Sequence, residues 1–145
     1  MAKEVSLSLT VHSVIDNLTD TGLPDGDPEI NIFTTDGTLT VTDKGMKLAF
    51  TEKNESDITT STMFITDGNV KLFKRGSIEA EMHFALGIFT KTIYRLGPYS
   101  FDMMIHTKEL KCSLGENGGE LRIVYSMNIG GQEKNVRMKI TAKGK

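Results

Sequence analysis

Residues 5–12 read Val5-Ser6-Leu7-Ser8-Leu9-Thr10-Val11-His12, apolar and polar in strict alternation. A period of two places Val5, Leu7, Leu9 and Val11 on one face of an extended strand, with Ser6, Ser8, Thr10 and His12 on the other. The pattern recurs at Met46-Lys47-Leu48-Ala49-Phe50, at Ile78-Glu79-Ala80-Glu81-Met82-His83-Phe84 and from Tyr99 through Phe101, Met103 and Ile105. Between such runs stand Asp36-Gly37, Asp43-Lys44-Gly45, Asp67-Gly68, Gly118-Gly119 and Gly130-Gly131. Each supplies a residue suited to the positive φ of a hairpin turn, so each is expected to reverse the chain between antiparallel strands.

Further strands are expected near 29–35, 38–42, 57–65, 69–74, 110–114, 121–129 and 136–141. The run 57–65 is rich in the β-branched residues that favour a pleated surface. Residues 85–97 are ambiguous, and Thr90 to Tyr94 reads equally as a strand or a short helical turn. Residues 16–28, with Asp16, Asp20, Asp25 and Asp27 among Gly22, Pro24, Gly26 and Pro28, form a long acidic loop. No amphipathic helix and no internal repeat is evident. A meander of about eight to ten short strands removes its exposed edges by closing on itself. The fold expected over residues 1–145 is therefore a single all-β antiparallel barrel.

The chain has 145 residues, enough to bury a core without cross-links. Cys112 is the only cysteine, so no internal disulfide forms and a reducing, cytoplasmic setting is expected. The first ten residues alternate and lack the apolar run of a signal peptide, and no stretch approaches a membrane-spanning length. Net charge is −2, but residues 1–69 carry 4 Lys/Arg against 12 Asp/Glu and residues 70–145 carry 13 against 7. Neighbouring strands pairing acidic with basic edges account for this. So does a basic face of Lys71, Lys74, Arg75, Lys91, Arg95, Lys134, Arg137 and Lys139 that meets single-stranded nucleic acid or a protein partner, with Tyr94 or Tyr99 stacking a base.

From Arg75 onward the residues carry a family likeness. Arg75-Gly76, Phe84, Gly87, Tyr94, Gly97, Thr107, Gly119 and Tyr125 resemble the pattern of the YwiB-like family of small bacterial proteins. So do Tyr-x-x-Gly at 94–97, His-Thr at 106–107 and Leu-Arg-Ile-Val-Tyr-Ser-Met-Asn-Ile-Gly at 121–130. The likeness covers most of the chain and is best from about 70 to 142, while residues 16–28 are longer than the family pattern. That family is a domain of unknown function assigned to calycin-like, lipocalin-type barrels. The resemblance implies a barrel of eight or slightly more strands and brings no established activity.

No catalytic constellation can be read. His12, His83 and His106 have no metal-ligand spacing, and Cys112 lacks a local partner and is expected to be a buried or half-buried inert thiol. The aspartates of 16–27 do not fit a calcium loop, Glu79 and Glu81 read as a solvated stripe, and no phosphate cradle is present. The protein is expected not to be an enzyme and to carry no metal or cofactor.

Methionines and aromatics are more suggestive. Met46, Met82, Met103, Met127 and Met138 fall on apolar phases and are expected to point inward. Flexible, polarisable methionines suit a cavity for a small hydrophobic molecule, and they equally fill a solid core. Phe84, Phe89, Tyr94 and Tyr99 cluster around the irregular segment 85–97, where they either line the mouth of the barrel or plug its end. The candidate ligand-binding set is accordingly Arg75, Met82, Phe84, Phe89, Tyr94, Tyr99, Met103 and Met127, with Arg75 and a tyrosine hydroxyl orienting the ligand. A filled core with no ligand, serving structure or interaction, is the third reading. The sequence fixes no oligomeric state.

Overall fold

A computed structural model describes residues 2–145. Ten strands follow one another: β1 (Lys3–Asn17), β2 (Glu29–Thr42), β3 (Gly45–Asn54), β4 (Asp57–Thr66), β5 (Asn69–Gly76), β6 (Ile78–Ala85), β7 (Phe89–Leu96), β8 (Tyr99–Cys112), β9 (Gly118–Ile129) and β10 (Gln132–Gly144). Each pairs antiparallel with the next, and β1 pairs with β10 from Leu7↔Gly144 to Asn17↔Lys134, so the meander closes into a barrel. Among the described residues no helix is long and apolar enough to cross a membrane.

Three expectations about the punctuation are corrected. Asp36-Gly37 is no turn: β2 runs straight through it, and Gly37 lies opposite Leu7 on one side and Phe50 on the other. A Cβ at Gly37 would stand 2.4 Å from Leu9 Cδ1, so this glycine lets a core leucine lie over the strand. Gly118-Gly119 opens β9, and the reversal is made by Glu116 and Asn117. Residues 110–112 do not start a separate strand but continue β8 past a bulge between Thr107 and Glu109. Residues 89–96 resolve as a strand, β7. Asp16 belongs to β1, not to the acidic loop, and approaches Arg137 at 3.9 Å.

The connections alternate between two ends of the barrel. One end is packed: Leu7, Leu9, Leu39, Leu48, Val70, Phe84, Ile105, Leu121 and Ile123 are all essentially inaccessible. The other end, which carries the loop after β1, is built differently, because the inward phase there turns polar. Val11 is followed by Ser13, Phe50 by Glu52 and Leu72 by Lys74, while Ser61 and Thr59 precede Met63. Arg137 on β10 approaches Asp16 on the adjacent β1, and Lys145 meets Asp36 at 3.0 Å, so bases of the second half pair with acids of the first. Lys3–Glu116 at 3.0 Å joins the halves in the opposite sense.

One seam is thin. β6 and β7 share only the register pairs Ile78↔Leu96 and Glu79↔Arg95. Beyond them the strands are bridged by the Thr90 hydroxyl, which donates to the His83 carbonyl at 3.1 Å. At the far end the Ala85 amide donates to Thr107 Oγ1 at 3.2 Å, tying β6 to β8 instead.

Candidate functional site

A cavity of about 330 Å³, open at its rim, occupies the polar end of the barrel. A ten-stranded barrel is wide enough for this, whereas eight strands leave an interior just filled by side chains or holding one small ligand. Its apolar surface comes from Phe33, Phe50, Met63, Met82, Met103, Met127 and Met138. Phe84 lies beyond the floor: its ring packs at 4.8 Å, tilted by 54°, against Tyr125, which faces the cavity.

Seven strands contribute the polar groups. Ser13 and Asn31 are cross-strand partners on β1 and β2, as are Glu52 and Thr59 on β3 and β4, and Ser61 and Lys74 on β4 and β5. Glu29 and Asn31 stand at the exposed rim, and Ser61 and Thr59 are buried. Tyr94 and Tyr125 bring two phenols. Burial raises the pKa of both hydroxyls, most strongly at Tyr125, so both remain neutral donors near pH 7. Lys74 moves the other way: burial lowers its pKa, and Glu52 opposes that shift only in part.

The structure divides the residues expected from the sequence. Met82, Tyr94, Met103 and Met127 line one cavity, together with Met138. Met46 points inward at the packed end, beside Leu110 and Cys112 in a cleft of about 430 Å³. Phe84 is wholly buried below the cavity and forms no part of a mouth. Phe89 is on the outer wall, 64% exposed and stacked on His106 at 4.1 Å, and Tyr99 is exposed at the start of β8. Residues 84–99 span the end of β6, a turn, all of β7 and the start of β8, so their aromatics spread over both ends and both faces.

Arg75 also faces out, its guanidinium donating to the Lys74 carbonyl at 3.2 Å. It borders a surface cleft of about 680 Å³ over the β6–β7 seam, with Glu79, Glu81, Lys91, Arg95 and Asp102. That cleft is larger than the interior cavity, but it is open to water and lined by charges of both signs, so it excludes solvent poorly. Of the expected basic stripe, Lys74 is inside the barrel, and Arg137 and Lys139 lie within 4.0 Å of Asp16 and Glu120. Cys112 is exposed rather than buried, because β8 ends there at the open rim of the packed end. His83 meets Asn69 Oδ1 at 3.0 Å. Among the described residues no three His, Cys, Asp or Glu side chains come together.

Sequence reasoning missed Lys74, Glu52, Ser61 and Met63 as lining residues. The signal was present in the phase itself. Each lies an even number of residues from a core position on its own strand, so alternation alone turns it inward even where its polarity suggests solvent.

A family model described as a domain of unknown function (DUF1934) matches residues 18–141. The uncharacterized beta-barrel protein YwiB of Bacillus subtilis is 25% identical over 145 residues, which cover 99% of this chain and 97% of that protein. The crystal structure of the ywiB protein from Bacillus subtilis aligns with a TM-score of 0.84 at 25% identity, over 98% of this chain and 93% of that one. With the model matching all but the first strand and the last four residues, and the barrel shared along nearly its whole length, the chain belongs to the DUF1934 family.

Proposed function

We propose that this is a cytoplasmic binding protein, not an enzyme, which holds one small and mainly apolar molecule inside the barrel. The interior cavity of about 330 Å³ with its methionine lining carries the reading. At the packing density of about 0.74 typical of protein interiors, it accommodates roughly a dozen non-hydrogen atoms. Methionines adapt to ligand shape at little cost, and the phenols of Tyr94 and Tyr125 give orientation. Burying an alkyl chain of about ten carbons yields roughly 8 kcal/mol gross at ~0.8 kcal/mol per methylene. That gross figure alone corresponds to about 1 μM, and association costs cancel part of it, so dissociation constants weaker than micromolar follow. The free, exposed Cys112 supports a reducing compartment.

The outer surface gives nucleic-acid binding no separate support, since Lys91, Arg95 and Arg75 share their cleft with Glu79, Glu81 and Asp102. Calorimetric titration with 1-decanol tests the cavity reading, alongside native mass spectrometry of protein purified from its own host. Uptake of one decanol per barrel, lost in Met103→Trp, is expected. A barrel that takes up none and retains no host molecule overturns the reading.

A further inference from the structure

We propose that the ligand is an amphipathic monoanion, a carboxylate on an apolar body of roughly ten carbons, and that Lys74 anchors its head. The inference rests on the cavity reading above and specifies the chemistry of the same site.

Lys74 is directed inward by its place on β5, in phase with the core residues Val70 and Leu72. Its ammonium enters none of the ion pairs or side-chain hydrogen bonds formed among the described residues; the one bond at this position uses its backbone carbonyl. Lys74 is half-buried, and an ammonium turned into a barrel without a contact partner loses hydration that nothing in the protein replaces unless something else supplies the counter-charge. Glu52 is the anionic side chain on the neighbouring cavity wall. It acts on Lys74 through space without closing to contact, and burial outweighs its attraction.

Besides Glu52, the ammonium shares the chamber with several hydroxyls, which can donate. Ser61 is its cross-strand partner, Thr59 is two residues away on the same strand, and the Tyr125 and Tyr94 phenols face the same space. None of these four hydroxyls has a protein partner among the described residues. Tyr125 is itself 7% exposed. One cation and several hydroxyl donors aimed into one chamber fit a carboxylate, which accepts through two oxygens. The remaining wall is mainly apolar, with Phe50, Met63, Met103 and Met138 beside the polar Ser13 and Asn31. A second anion, Glu29, lies at the exposed rim, where water screens it.

Decanoate and 1-decanol, of nearly equal size and opposite head chemistry, test the proposal by calorimetric titration at pH 7. Wild-type protein is expected to bind decanoate at least tenfold more tightly than decanol. Lys74→Met, similar in volume, should erase that preference, and Lys74→Arg should keep most of it. Glu52→Gln removes the competing carboxylate and should tighten decanoate several-fold without shifting decanol. Equal affinity for the two probes in wild-type protein, or a preference that survives Lys74→Met, overturns the anionic head while leaving the cavity reading standing. Binding of neither probe overturns both. Thermal melts of each variant confirm that a lost preference is read on folded barrels.

Discussion

A lysine turned into an apolar chamber leaves its mark on how stability depends on pH. Burial holds the Lys74 pKa below its ordinary 10.5. Between the lowered value and 10.5 the unfolded chain keeps a proton that the folded barrel has released, so stability contributed by this group rises with pH across that window. Tyr125 and Tyr94 have the opposite sign: their raised pKa values make the folded state hold protons that the unfolded chain loses above its ordinary 10.0, and stability falls there. Urea midpoints taken from pH 7 to pH 10 should show the wild type gaining on Lys74→Met as pH rises; parallel curves would dismiss the buried cation. Glycines give a second test at this scale. Gly76 has φ +124°, and a Cβ there would stand 2.1 Å from the Ile58 carbonyl oxygen. Gly97 has φ +59° with open space around it. Gly76→Ala should cost about 2–5 kcal/mol, combining backbone strain with a clash that rigid backbone cannot relieve. Gly97→Ala should cost only about 1–2 kcal/mol from its left-handed backbone. Equal losses in denaturant titrations would contradict the crowding at Gly76.

Among the strands, β6 and β7 stand apart because their shared edge is paired at only two positions. Alternate amides of a strand point to alternate neighbours. About half the amides across Ala80–His83 and Lys91–Ile93 therefore lack a ladder partner and should exchange quickly with deuterium. β9, paired along its length with both β8 and β10, should exchange slowly throughout. Uniform protection across β6, β7 and β9 would show the seam to be closed in solution. Nothing in the local sequence announces this seam, because strand separation is set by how the neighbours curve and not by the alternation that both strands obey. Residues 78–84 and 121–129 were legible for the converse reason, since each has one buried face and any slip of register would expose it. The reading failed at Asp36-Gly37, where one dipeptide has two physical uses. Glycine can turn a chain, and it can also let a core side chain from a neighbouring strand lie across it; only Leu9 in place distinguishes them.

The whole barrel is a solid half joined to a hollow one, and that division was only half legible. Apolar phases marked the inward face of the strands, and the inward methionines were found from them. The polar continuations at Ser13, Glu52, Ser61 and Lys74 were not, because a charged residue at a strand end is ordinarily solvated and only closure makes the inside inescapable. Deletions on the two sides should therefore differ in kind. Phe84 is fully inaccessible and rests on Tyr125, so Phe84→Ala opens a void among groups that cannot collapse and should cost about 3–5 kcal/mol. Met127 is half-buried against existing free volume, so Met127→Ala removes fewer contacts and should cost about 1–2 kcal/mol, below the usual range for a methionine in a packed core. The order should invert for binding. Met127→Ala enlarges the chamber and strips apolar wall from the ligand, weakening decanol uptake, whereas Phe84→Ala acts below the floor and should alter uptake less than it alters stability. Denaturation and titration on the same two variants decide the matter. If Met127→Ala proves as destabilising as Phe84→Ala, the barrel is packed from end to end and the chamber does not exist in solution.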